Sequence, residues 1–198
     1  MKNLVPYRTL VIEGKTSAHL VHGPGSDGAL MCLQLARKVL KNGSHVVWIG
    51  DLQPTLAVAM LGDLSEARLA NLKVWNDYQQ EILDFLPGPE GLLVFHSWCS
   101  RLGRASKDEL SRVIAITESS ACTVIATSLG NQNPASNEPS MTARSGEKLE
   151  RAGLITWYLS REPNGANRSL RSGESRLLLQ RTESGCLLYT SDAADDRV

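Results

Sequence analysis

The sequence predicts an α/β domain: a mostly parallel central sheet with helices on both faces. Three observations carry that class. Short apolar runs at 18–21, 45–49, 72–75, 91–95 and 122–127 alternate with stretches of helical character. The runs GLLVF (91–95) and, up to its final Thr, CTVIAT (122–127) are apolar without alternation, as strands buried on both faces are. A glycine-rich turn at 23–28 joins the first strand to the first helix. Strands that alternate with helices give right-handed parallel crossovers, and such a sheet binds its ligand beyond the carboxyl ends of the strands.

Taken in order, 18–21 is a short strand entering the Gly23 turn, and Asp27 is placed to cap the following helix. In that helix Gln34, Arg37, Lys38 and Lys41 recur at i, i+3, i+4 and i+7, a polar stripe, while Leu33, Ala36 and Leu40 belong to the opposite side. Asn42-Gly43 ends it. Residues 45–49 form a second strand, 51–54 a turn, 72–75 a short strand, and 78–86 a helix closed by Pro87-Gly88-Pro89. After the buried strand 91–95, Ser106 caps a helix over 107–119, which leads to the strand 122–127. Residues 129–146, rich in Asn, Pro, Ser and Gly, break the rhythm as one long polar loop. Two final strands are expected at 154–160 and 176–180, joined by the polar segment 161–175.

The 198 residues, 42% of them hydrophobic, fit one domain with a substantial core. Basic and acidic residues balance at 21 each, so a nucleic-acid contact requires a local basic patch and not a global field. Cys32, Cys99, Cys122 and Cys186 show no C-x-x-C spacing and read as small apolar residues of a reducing cytoplasm. The apolar runs are too short to span a bilayer, and the first ten residues lack a signal-peptide core, so a soluble cytoplasmic protein with no membrane partner is expected.

Residues 20–36, LVHGPGSDGALMCLQLA, have the frame of a phosphate-binding loop between strand and helix. In G-x-x-x-x-G-K-[ST] the backbone N–H groups cradle the phosphates, the Lys holds the outer oxygens and the hydroxyl ligates magnesium. Gly23, Pro24, Gly25, Ser26, Asp27 and Gly28 supply the frame, but Ala29 stands for the Lys and Leu30 for the hydroxyl residue. Neither side chain can neutralise a triphosphate or offer oxygen to a hard cation. Gly14-Lys15-Thr16 spells the end of such a loop, but Thr9 stands where its first Gly belongs, so it reads as a turn.

This order of elements, with a degenerate phosphate loop first and a long polar loop after the strand 122–127, resembles the RecA-like ATPase family, and most of all its short archaeal RadB-type and KaiC-like members. The resemblance covers 15–183 and rests on the layout and on LVHGPGSDGALMCLQLARKVL. It implies a single RecA-like domain over 1–185, with a RecA-like P-loop NTPase fold. It also implies a loss of chemistry, residue by residue. Besides Ala29 and Leu30, the position of the catalytic Glu falls at Leu52, that of the Walker B Asp at His96, and that of the polar γ-phosphate sensor at Leu129. The resemblance thus points to a pseudo-ATPase with no catalytic residue, no metal and no required cofactor. ATP binding without efficient hydrolysis is left open, although Asp27 would repel phosphate.

In this family the loops after the Walker B strand and after the next strand face DNA. Here they carry Arg101, Arg104 and Lys107, then Arg144 with Lys148 and Arg151 just beyond, residues able to contact phosphates in a salt-sensitive way. Arg168, Arg171, Arg176 and Arg181 add charge late in the chain, and the loops hold no aromatic side chain for base stacking. His22 and His96 end strands expected to be neighbours, with Asp51 and Cys99 close by, but without the local spacing of a metal site. Trp48, Trp75, Trp98 and Trp157 read as packing residues. Residues 186–198, CLLYTSDAADDRV, resemble translated sequencing-adaptor read-through and are expected to be non-native.

The function expected is that of a non-catalytic RecA/RadB-like paralogue that assists DNA recombination and repair by binding DNA, a recombinase, or both. A structural RecA-fold subunit of a hetero-oligomer, similar in kind to the accessory subunits of Elongator, is the alternative. An ATP-binding protein with weak turnover is the third reading.

Overall fold

The apolar runs become the strands of one sheet. The structure, a computed structural model, describes residues 17–99, 104–132, 141–163, 165, 167–182 and 187–189. In chain order the elements are β1 (Ser17–His22), α1 (Gly28–Lys41), β2 (Val46–Ile49), α2 (Pro54–Leu61), α3 (Glu66–Leu69) and β3 (Leu72–Trp75). A 3-10 helix (Gln80–Phe85), β4 (Leu92–Phe95), α4 (Lys107–Ser119), β5 (Thr123–Leu129), β6 (Asn131–Gln132) and β7 (Met141–Thr142) follow. The chain then forms α5 (Gly146–Arg151), β8 (Leu154–Arg161), β9 (Asn167–Ser172), β10 (Ser175–Arg181) and β11 (Leu187–Tyr189). The main sheet runs β11-β10-β9-β8-β1-β5-β4-β2-β3, and β6 pairs with β7 apart from it. From β8 through β3 every pairing is parallel, and β9, β10 and β11 extend one side antiparallel.

Alternation along each strand divides the core in two. Ala18, Leu20, Val46, Trp48, Leu92, Val94, Ile125, Trp157 and Leu159 face α1 and α2. Val47, Ile49, Leu93, Phe95, Val124, Ala126 and Leu154 face α4, the 3-10 helix through Ile82, and α5 through Leu149. The sheet is thus buried on both sides, which is why its central strands contain few polar residues. Leu30, Leu33 and Leu40 of α1 are each buried, and a core leucine contributes about 2 kcal/mol through removal of its side chain from water.

Several elements depart from the sequence expectation. The turn after β2 runs into α2, with Pro54 at its first position, where a missing N–H costs nothing. Residues 80–85 wind as a 3-10 helix and not as the expected α-helix. The polar connection 161–175 contains β9, whose residues pair on both sides. At the far side of the sheet β11 pairs antiparallel with β10. Leu187 is buried in the first cluster and exchanges two hydrogen bonds with Gln34, its N–H donating to Oε1 at 3.2 Å and its carbonyl accepting from Nε2 at 3.3 Å. Gln34, read as part of a polar stripe, therefore docks an edge strand. Asp27 occupies the cap position of α1 in a left-handed conformation, φ 67°, and its side chain does not cap the helix. The Gly14-Lys15-Thr16 turn, Arg101, Cys186 and residues 190–198 lie outside the described residues.

Candidate functional site

The parallel strands end along one edge of the sheet, and there His22, His96, Ser97 and Leu129 border a cleft of about 670 Å³ with residues 23–30 as one wall. Gln53, Leu56, Ala59 and Met60 line it from the β2–α2 side. The cleft thus sits where a parallel sheet of this kind binds its ligand.

The loop holds its shape through local bonds. The Gly23 N–H donates to the Leu159 carbonyl at 3.1 Å, tying the loop to β8, and the Ser26 hydroxyl donates to the Gly23 carbonyl at 2.6 Å. Gly28 is packed under His22: a Cβ there would stand 2.7 Å from the imidazole Cγ. Leu30 turns into the core, and Ala29 is half-buried beside the cleft. Neither position presents a hydrogen-bonding side chain to it.

An internal ion pair holds the centre of the loop. Arg168 of β9, 3% exposed, donates from Nε and reaches from Nη2 to the same Asp27 oxygen, Oδ2, at 2.9 and 2.7 Å. Its Nη1 donates to the carbonyls of Gly165 and Asn167 at 3.0 and 3.1 Å. Arg181 of β10 approaches the other Asp27 oxygen at 3.5 Å. The residue expected to cap α1 is therefore the anchor that fastens the loop to the antiparallel strands. Arg168 and Arg181, which in the sequence only add charge late in the chain, supply the counter-ions. The available signal was an acid in a loop that otherwise collects negative charge, a residue that needs a cationic partner.

His96 follows β4, and its Nδ1 pairs with the Thr127 hydroxyl at 3.0 Å, the same oxygen that accepts the Ser97 N–H at 2.9 Å. Its ring packs on Trp48 at 5.5 Å between centroids. Gly50, φ 106°, makes room for this corner, since a Cβ there would lie 2.4 Å from the His96 carbonyl oxygen. His22 and His96 are not on neighbouring strands as expected, because β5 lies between β1 and β4. Among the described residues no group of three His, Cys, Asp or Glu side chains is placed to hold a metal ion.

Beneath the cleft, sequence reasoning missed a buried polar cluster. The Trp98 indole N–H donates to His19 Nε2 at 3.3 Å, and the Ser128 hydroxyl lies 2.8 Å from the same nitrogen. An indole N–H can only donate, so Nε2 accepts and the neutral ring carries its proton on Nδ1. Burial lowers the His19 pKa to about 4. Burial likewise pushes the thiols of Cys99 and Cys122 up to about 11, so they are inert at neutral pH.

The basic residues separate into two groups. Arg104 lies just before α4 and Lys107 is its first residue, Lys148 and Arg151 lie on α5, and all four are exposed; both helices pack against the same face of the sheet. Arg144 is instead buried, and its guanidinium bonds the Cys99 thiol. Arg176 pairs with Glu162 at 3.0 Å. Chemically, among the described residues the cleft offers no lysine, no hydroxyl at position 30, and one carboxylate, Asp27, already held by arginines.

No family model matches the sequence, and no curated protein matches it. Solved structures do. The chain is similar to the RadB recombinase at 17% identity, with 90% of this chain and 94% of that chain covered and a TM-score of 0.62. It is similar to a KaiC-like protein from the hyperthermophilic archaeon Pyrococcus horikoshii at 15% identity, covering 96% and 97%, with a TM-score of 0.65. A third likeness is to a protein solved as its ATPase domain, at 12% identity, 89% and 85% coverage and a TM-score of 0.63. The glycine loop between β1 and α1, the strand order and these likenesses together give the chain the RecA-like ATPase fold.

Proposed function

We propose that this protein is a non-catalytic RecA-fold paralogue that works by binding, assisting DNA recombination and repair through contacts with DNA, with a recombinase, or with both. The observation that carries the loss of catalysis is the Asp27–Arg168 ion pair in a loop whose next residues are Gly28, Ala29 and Leu30. The loop's carboxylate is held by arginines and is not free to ligate magnesium, and the two side chains that would neutralise a triphosphate and ligate magnesium are apolar. The positions of the Walker B Asp and of the polar sensor are taken by His96, just after β4, and by Leu129, the last residue of β5.

DNA contact is supported by the four exposed cations at α4 and α5, Arg104, Lys107, Lys148 and Arg151, and by likeness to a protein described as a recombinase. The test is fluorescence anisotropy with labelled single- and double-stranded DNA across a salt series. Binding should weaken steeply with salt, and the variant R104A/K107A/K148A/R151A should lose about tenfold or more in affinity and show a shallower salt dependence. Binding by that variant equal to the parent would place DNA contact elsewhere, and no binding by the parent would remove it.

One observation favours a structural-subunit reading. Strand β3 ends the sheet among the described residues, and Val74, 45% exposed, and Phe85, 42% exposed, sit at that open edge. Unpaired strand edges with apolar side chains are natural assembly surfaces. Stable hetero-oligomers detected by light scattering, combined with failure to bind DNA, would favour this reading.

A further inference from the structure

A second hollow, of about 490 Å³, shares Gly25, Asp27 and Arg181 with the cleft and is completed by Arg161, Gly165, Arg168 and Thr182. Three guanidinium groups meet one carboxylate there. Arg168 is held by Asp27 and by the Gly165 and Asn167 carbonyls through all three of its nitrogens. Arg181, half exposed, touches Asp27 through one nitrogen at 3.5 Å and keeps its other donors. Arg161, at the end of β8, is exposed, and no carboxylate pairs with it among the described residues; its neighbour Glu162 is taken by Arg176. Among the described residues, the hollow sets three guanidinium groups against the single Asp27 carboxylate, two positive charges in excess. Gly25, φ 65°, has no side chain to bar an anion from the loop backbone.

We infer that this hollow is an anion site for the phosphate groups of a small phosphorylated ligand, bound by Arg161 and Arg181 without magnesium. A guanidinium fork matches two phosphate oxygens at once, and a pair of such forks supplies positive charge to a phosphate without a metal ion. The site lies outside the lost lysine and hydroxyl positions, Ala29 and Leu30, which do not line it. Its ligand is small, because the volume holds one or two phosphate groups with a modest appendage and not a duplex. It stands apart from the DNA reading: a chain that binds one class of ligand and not the other separates the two.

The test is isothermal titration calorimetry of the full chain in EDTA at low salt, with pyrophosphate and with ADP as probes. Pyrophosphate should bind, and ADP should bind more tightly if Leu56 and Met60 of the adjoining cleft receive the rest of the nucleotide. R161A and R181A each remove an exposed side chain, and the double variant should bind at least about tenfold more weakly, the effect of losing charge-assisted hydrogen bonds. R161K/R181K, which keeps the charge but not the fork, should fall between. Absence of binding of both probes to the parent chain overturns the site, as does equal binding by a folded R161A/R181A variant, with folding checked by circular dichroism.

Discussion

At the scale of single residues, the structure turns on charges that have left water. Asp27 and Arg168 are nearly enclosed, at 15% and 3% exposure, so their mutual attraction is weakly screened and their separation is expensive. D27A leaves Arg168 buried without its anion and should destabilise the protein by about 3 kcal/mol, measured by urea unfolding, whereas D27L/R168M should recover much of that loss. An effect of D27A below about 1 kcal/mol would mean that the pair is solvated. His19 makes a second prediction. Its folded pKa is about 4 against 6.5 for the free side chain, so between those values the unfolded chain holds more protons than the folded one. Stability should therefore fall as pH drops from about 6.5 to about 4, by a total of about 3 kcal/mol from this group. The slope should flatten in H19Q, and a parent stability independent of pH over that window would contradict the buried neutral ring.

At the scale of elements, what could be read from the sequence was what is decided locally. Ser106 and Glu109 form a reciprocal capping box, 3.1 Å and 2.7 Å, within four residues, and α4 begins where the sequence places it. S106A should cost about 1 kcal/mol, seen as a lower urea midpoint at unchanged slope, and no change would mean that water caps the helix equally well. The buried strands β4 and β5 were equally legible from their composition. Asp27 misled because a left-handed backbone turned its carboxylate away from its own helix, towards an arginine 141 residues distant. Strand β9, NRSLRS, has little strand character of its own and exists because β8 and β10 pair with it. Helix α2 was hidden behind a Gln-Pro pair that reads as a turn, and the 3-10 helix at 80–85 has Pro87 two residues beyond its end, too close for another α-turn.

At the scale of the whole molecule, the fold is that of RecA-like ATPases, and the loss of their chemistry is the proposal drawn from Ala29, Leu30 and His96. The parallel strands from β8 to β3, a loop from β1 to α1 and a cleft at the strand ends are kept, as the likeness to RadB and KaiC-like structures requires. The fold was legible because alternation of strand and helix is a pattern of the entire chain. The site was legible only by subtraction, from Ala29, Leu30 and His96; the arginines that now occupy its surroundings come from the antiparallel strands, whose pairing partners no local pattern announces. Among the described residues no helix is long and apolar enough to cross a membrane. The measurement that bears most directly on this account is ATP hydrolysis by the purified full chain with magnesium, followed by phosphate release beside G28A and H96A variants. The account predicts no release above background in any of the three proteins. Turnover by the parent chain that G28A or H96A abolishes would contradict it, and would show that the loop supports catalysis without the lysine and hydroxyl of the phosphate-loop pattern.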